Sequence, residues 1–512
     1  MLQAERKRRG PQRGQALLWF LAMTAACCMM LALVYNVGQV SGEKEKTVNA
    51  ADAAALSGAL TQARILNFEA YTNRAMIANE VTIAQLVSLD SWVRYDNTLM
   101  QNIALYTSWI PGLDYVTTLL ARGTQIGQQI IDGATTVGLP ALEVVNTILL
   151  NSREGANAVG VVAASAIASK VAQANQTTLG GRTDAAPELP GGFMVYATAR
   201  NEIYWARFTQ ANTGNARGNA KAVILNSRDG FSTFRGAGKL IDAINTAASW
   251  LQYVFAPYPE LVKTSGGTTL ASYDHWAAQD SLDAEIHSFS CDWFDCGWST
   301  DWVPLPLGYG RADATATNTP DPRLCLENPD TLNCRLARSN TKRYRWTGPI
   351  GVAAPSQRGI PNIRDLVDAT ATGNPGDATH CGALNGSDGP GLYFVAAVQK
   401  SGSATMTTQR IGTPGMNTAV VPGPQGSPDL KDALQNGDRL TSIAAACTFF
   451  LRPDWNPRDR TEGKLPRADH KHEYASLYNP YWQSRLTPVL PTDKGALYVA
   501  IGANPALTLV TP

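Results

Sequence analysis

The twenty residues Ala16–Tyr35, ALLWFLAMTAACCMMLALVY, carry no charge, and their reading decides how the rest of the chain is placed. A helix rises about 1.5 Å per residue, so twenty residues cover the ~30 Å hydrocarbon core of a bilayer. Upstream stand Arg6, Lys7, Arg8, Arg9 and Arg13 against the single acid Glu5; downstream, Glu43-Lys44-Glu45-Lys46 is balanced. An excess of base on one flank predicts a single-pass helix with its amino terminus in the cytoplasm and the remaining residues outside. A cleaved secretory signal has a shorter apolar core, about 7–15 residues, and a small-residue cleavage site after it. The longer run here favours an uncleaved anchor.

The other function classes narrow quickly. Lys and Arg total 43 and Asp and Glu 42 in 512 residues, so no bulk charge draws the chain to nucleic acid. Twelve Trp, seventeen Tyr and twelve Phe supply enough apolar surface for a packed core, against disorder. No second run is long and apolar enough to suggest a multi-pass transporter.

Downstream of the span, proline is absent until Pro111, and apolar residues recur at steps of three and four: Leu56, Leu60, Ala63, Leu66, Ala70, then Ile77, Val81, Ala84, Val87. That stripe predicts a long helix over 38–110, stopped by Pro111-Gly112, with at least one break at Gly38, Gly42 or Gly58. Residues 111–260 read as further helices, with a Gly/Pro loop at Leu179–Gly192. Near Pro257 the composition turns to Trp, Pro, Gly, Asp and Cys, with short candidate strands at Arg343–Trp346, Gly391–Val398 and Ala404–Thr408. The expected fold class is therefore α+β. Its parts are a basic tail (1–14), a transmembrane helix (15–37), an extended helix (38–110), a helical region (111–260) and a β-rich, disulfide-containing domain (261–512).

Cys291, Cys296, Cys325, Cys334, Cys381 and Cys447 lie in that last part, and an even number in an exported region suggests disulfides. Cys291 with Cys296 and Cys325 with Cys334 would close short loops, leaving Cys381 for Cys447; spacing alone does not choose among the pairings. Cys27 and Cys28, inside the span, read as small apolar residues. Ala50, Ala54 and Gly58 are four apart, as are Ala51, Ala55 and Ala59, and such a face lets another helix approach closely. Asp52 reads as lying within it, ready for a base on a neighbouring helix. The partner of the face is expected to be another protein's helix or a second copy, or residues 113–260 of the same chain.

Three stretches carry a resemblance. Arg13-Gly14-Gln15-Ala16, the apolar span and Asn49–Leu56 (NAADAAAL) resemble the Tad module, to about residue 60, that opens TadG-like proteins of the tight-adherence (Flp) pilus system. Leu66–Trp92, centred on AYTNRAMIANEV, and Glu473–Leu486, EYASLYNPYWQSRL, resemble a large-ectodomain subgroup. The resemblance implies an inner-membrane protein with a periplasmic carboxyl end. Its implied partners are pilin-like proteins or the pilus assembly platform, and it implies no enzymatic activity and no cofactor. Pilin-like members are cut after a glycine and carry Glu at mature position five; a cut after Gly14 would put Trp19 there. The Asp-x-Ser-x-Ser metal site of some relatives has no counterpart here.

Other constellations offer chemistry of their own. His470 and His472, flanked by Asp469 and Glu473, would share one side of a strand and are the best metal candidates, for an anchored hydrolase. Cys291 and Cys296 with His287 is a second, for which a disulfide beside Trp293, Trp298 and Trp302 is the plainer reading; those tryptophans otherwise suggest a glycan-binding patch. Asp365 and Asp368 are spaced to share a helix face, and Arg452-Pro-Asp454-Trp455 reads as an exposed turn. Tyr474, Tyr478, Tyr481 and Trp482 form either an interface anchor or a segment that packs back on the amino-terminal helices. Nucleotide-binding and serine-hydrolase motifs are lacking.

Overall fold

The computed structural model describes residues 15–175, 191–211, 215–235, 262–292, 295–315, 359–367, 391–401, 439–452, 455–456, 461–462, 473 and 475–502. Its axis is α1, Gln15–Thr107, 93 residues in one helix and about 140 Å long. The expected break does not occur. None of Gly38, Gly42 and Gly58 takes a positive φ, and a helical glycine costs only about 1 kcal/mol against alanine. Gly58 has a reason to be there: a Cβ on it would lie 2.2 Å from Cε1 of Phe394, whose ring occupies that space. Proline and glycine end the helix as expected, through a turn at Ser108–Gly112 with Gly112 at φ 87°.

The chain then reverses into α2, Leu113–Ala174, a single helix of 62 residues that keeps Pro140 inside it. Asp114 takes the Gly112 amide at 2.9 Å and places an acid in the first turn, where the helix dipole favours it. Helices α1 and α2 form an antiparallel hairpin: Asn97 meets Gln128 near the turn, Asn73 meets Arg153 midway, and Ala50–Ala59 lie with Ala164–Ala172 at the far end. Shorter elements follow: α3 (Gly191–Phe208), β1 (Thr209–Ala211), α4 (Asn215–Asn226) and α5 (Gly230–Thr233).

Two three-stranded antiparallel sheets lie along α1. The first is the meander β2 (Val262–Ser272), β3 (His275–Asp292), β4 (Asp295–Thr315). Its Leu270, Trp276, Ala278, Ala312 and Ala314 pack on Met76, Ile83, Ala84 and Val87 of α1. The second has the order β10-β7-β6, with β6 at Gly391–Ser401, β7 at Arg439–Phe450 and β10 at Trp482–Thr487. Among the described residues two short pairs complete the strands, β1 with β5 (Arg364–Leu366) and β8 (Trp455–Asn456) with β9 (Thr461–Glu462). A final helix, α6, spans Pro491–Ala500.

The central strand β7 explains its own composition. Alternate residues point to opposite faces of a strand. Ala444 and Ala446 meet the alanines of α1 and α2, while Ala445, Cys447 and Phe449 meet Phe193 and Ala197 of α3, Leu497 of α6 and Ile501 just after it. A strand covered on both sides is apolar throughout, as SIAAACTFF nearly is. The fold is α+β, as expected. Its β-rich part is layered along the first helix rather than appended after the helical one.

Candidate functional site: an exposed stem and a polar helical seam

The amino-terminal part of α1 stands apart from the packed body. Trp19 is 71% exposed, and Leu17, Leu18, Phe20, Leu21, Met23, Met30 and Leu31 are as open. The most apolar window here has a mean hydropathy of 2.3 and no buried residue, a candidate membrane span. Cys27 and Cys28 are free thiols on its surface. A charged collar follows the stem where the helix meets the body. Lys44 donates to the Thr441 carbonyl at 2.7 Å, and Glu43 pairs with Lys46 at 2.8 Å and with Lys400. Burial alone would raise the Glu43 carboxyl, but hydrogen bonds from the two lysines hold it below its ordinary value.

Above the collar lies the small-residue face. Ala50, Ala51, Ala54 and Ala55 are at most 2% exposed, and Gly58 is buried with them. Their neighbours are Ala164, Ala168 and Ala172 of α2 and Phe394, Ala396, Val398, Ala444 and Ala446 of the second sheet. The face is thus filled from within the chain. Of the partners expected for the face, the structure shows the one within the chain: residues of α2, inside 113–260, pack on it together with strands of the second sheet. Asp52 sits at the margin, half exposed, and partial burial raises its carboxyl; no described base pairs with it.

From Glu69 to Asn97 the facing positions of α1 keep a spacing close to 3.5 residues, that of a coiled coil, but many of them are polar. Glu69 accepts from Asn157 at 2.7 Å. Asn73 accepts from Nη1 of Arg153 at 2.9 Å, and Arg153 is wholly buried. Glu80 accepts from Asn146 at 3.2 Å with one carboxylate oxygen and from the Trp276 indole at 3.0 Å with the other. Arg94 joins Asp90 at 2.8 Å and reaches across to Asp132, and Asn97 donates to Gln128 at 2.5 Å. Burial pushes the Glu69 carboxyl up to about 7, against the pull of Asn157 and the guanidinium groups of Arg364 and Arg153. It pushes Asp90 up to about 6. Sequence reasoning missed this seam; the signal was a polar residue at coiled-coil spacing at 69, 73, 80, 90, 94 and 97.

The carboxyl-terminal segment closes on the same helix. Asn67 donates to the Trp482 carbonyl and accepts the Trp482 amide, both at 2.9 Å, as a neighbouring strand would. Asn73 donates to the carbonyls of Leu477 and Arg364 at 2.8 Å each. Trp482 is buried with Leu66, Trp205, Phe208 and Phe450, and Tyr478 packs against the neighbouring core. The aromatic run therefore packs inward on α1, and the two stretches Leu66–Trp92 and Glu473–Leu486 touch. Tyr474 lies outside the described residues.

The remaining candidates separate. Glu473 is buried and engaged at both oxygens, by Arg452 at 2.6 Å and by Asn479, so it is not open to a metal; His470 and His472 lie outside the described residues. Arg452 is not an exposed turn residue: it is half buried, paired with Glu473 and stacked over Tyr481. Asp365 is on strand β5 rather than a helix, and its Oδ1 accepts the amides of Leu366 and Leu477 at 2.9 and 3.2 Å; Asp368 is outside the described residues. Cys291 stands directly opposite Cys296 across the tip of the β3–β4 hairpin. Cys447 is buried; Cys325, Cys334 and Cys381 lie outside the described residues.

Residues 14–63 match the family model Tad, described as putative Flp pilus-assembly TadE/G-like. The match covers the stem, the collar and the small-residue face, and it bears out the TadG-like resemblance over that opening module. Neither the comparison with curated proteins nor that with solved structures gives a match.

Proposed function

We propose that the chain is a structural component of Flp-type pilus assembly, held in the inner membrane by its stem and projecting its body into the periplasm. One observation carries this reading. The module that matches the pilus-assembly family is the same piece of chain that forms the exposed, uncharged stem and continues unbroken into the helix on which both sheets are laid. A rigid connection of that kind transmits position from membrane to body without a hinge. Because the alanine face is filled internally, lateral contact with pilin or platform helices falls to the stem itself, residues 15–37. The flanking charges favour a cytoplasmic amino terminus.

Disulfides fit the same compartment. Directly opposed residues in an antiparallel pair have Cα atoms about 4.5–5.5 Å apart, within the span a disulfide bridges. Cys291 and Cys296 hold such positions. The role is scaffolding rather than catalysis.

The test is to place arginine at Met23 and Leu31, in the middle of the stem. Charges there cost several kcal/mol in a bilayer. The variant is expected to leave the membrane fraction with its body folded, and pili counted by electron microscopy should be lost. Normal piliation with a released chain would overturn the reading.

A further inference from the structure

We propose that two copies of this chain pair in parallel through the outward face of α2. That helix is amphipathic in reverse. Its inward face carries Asp132, Glu143, Asn146, Arg153 and Asn157 into the seam with α1. Its outward face, at steps of three and four residues from Val116 to Ala166, is apolar or small at every position except Ser152, and every position is exposed. Val137 is 72% exposed, Ile130 64%, Val159 63% and Val144 60%. Gly123 and Gly155, on the same face, have open space where a Cβ would stand. Between Arg122 and Glu154 the only charged residues of α2 are Asp132, Glu143 and Arg153, all committed to the seam.

Contrary to the expectation of a single such run, α2 holds a second candidate span within Leu113–Gly160, with a mean hydropathy of 1.4, but the extent and position of the face argue against lipid. The face runs for about 75 Å along the helix, more than twice the ~30 Å of a hydrocarbon core. It also lies alongside the part of α1 that follows the stem, since Ala172 reaches only to the alanines near Ala50. A helix of equal length does fit, and a second α2 meets each requirement. Its spacing, mostly alternating three and four, is that of coiled-coil pairing. Small residues such as Ala134 and Ala141 interleave with Ile130, Val137 and Val144, so two identical faces interlock. The absence of charge removes repulsion between copies. Aliphatic side chains bury about 60–120 Å² each, so a face this long yields on the order of 1,000 Å² in a pair, enough for a specific interface.

The parallel sense rests on the anchored-stem reading: two stems in one membrane point the same way and raise the local concentration of each face. Single cysteines introduced into the full chain test both parts, in a Cys27→Ala, Cys28→Ala background. Ala141→Cys lies at the centre of the face and self-links in either sense. Ile126→Cys and Val159→Cys lie off centre and self-link only in the parallel one. On mild oxidation of isolated membranes, all three are expected to convert more than half of the 54.8 kDa chain to a species of twice that mass. Gln129→Cys, exposed but off the face, should convert less than a tenth. No linkage at Ala141, or linkage only to a different protein, overturns the pairing. Linkage at Ala141 without the other two overturns the parallel sense, and so separates failure of the orientation from failure of the interface. Val137→Glu with Val144→Glu, at exposed positions that leave the fold intact, should halve the mass measured in mild detergent; an unchanged dimer would overturn the assignment of the face.

Discussion

Residues 50–66 and 69–97 of α1 belong to one helix and share the same neighbour, α2, yet they are built on opposite principles. Over residues 50–59 the first is close-packed alanine with Gly58, and its partners are alanines, Val398 and the ring of Phe394. The second buries carboxylates, amides and guanidinium groups that bond to one another, most of them across the pair and Asp90 with Arg94 along α1. Alanine against alanine gives close approach but little register, because one alanine fits much like the next. Polar partners fit only their own counterparts, and an unpaired buried group is costly. Over a hairpin of this length a slip by one turn is the obvious competing structure. The polar half excludes it, and the alanine half uses the resulting register to admit a sheet.

That contrast breaks most sharply at Arg153. Replacing it with leucine strands Oδ1 of Asn73 and the carbonyl of Asn362, while Glu154 keeps Arg364, and unfolding by denaturant should show a loss of about 3 kcal/mol. A loss below about 1 kcal/mol would mean that the polar half does not set the register.

Next is the close-approach half. Gly58→Val forces the ring of Phe394 aside and should cost about 3 kcal/mol. Phe394→Ala in the same chain should recover part of that, a non-additivity expected only if the two share one space. Simple addition of the two losses would refute the close-packing account.

A pH comparison sharpens the polar half. The Glu69 carboxyl is raised to about 7 in the folded chain from an ordinary value of 4.5. Its contribution is therefore intact below about pH 4.5 and is lost as pH rises through 7. Glu69→Gln, which cannot ionise, should be neutral at pH 4.5 and more stable than the parent by about 2 kcal/mol at pH 8. Equal thermal midpoints of parent and variant at pH 8 would show that the carboxylate is solvated.

The smallest effect belongs to the boundary between the halves. Asn67→Ala removes the strand-like pair with Trp482 and should cost about 1 kcal/mol. It should also speed proteolysis of the carboxyl-terminal segment. A slowed or unchanged cleavage rate would deny that Asn67 latches the end of the chain.

Much of the architecture was legible in local patterning. An uncharged twenty-residue run marks a candidate span, Pro111-Gly112 ends a helix by removing its geometry, and the spacing of 56–87 shows a helical stripe. The strand at Gly391 could be read from its apolar run. What could not be read was which polar residues are inside. Asn67, Asn73 and Glu80 look like ordinary surface residues of a helix, and only their coiled-coil spacing hints otherwise. Asp365 and Arg452 likewise take their roles from partners more than twenty residues away in the chain or farther.

The sequence by itself determined the stem, the end of the first helix, the α+β class and the opening module's kinship, because each depends on hydrophobicity, periodicity or motif within a few turns of chain. Tertiary structure alone decided that the alanine face is spent inside the molecule, that Glu473 is occupied, that two distant stretches meet at Asn73, and that α2 turns its polar side inward. The physical reason is that propensity is local, whereas burial is a property of the partner. A residue's own chemistry states what it can satisfy, and only the neighbour brought to it by the fold states whether that chemistry is used.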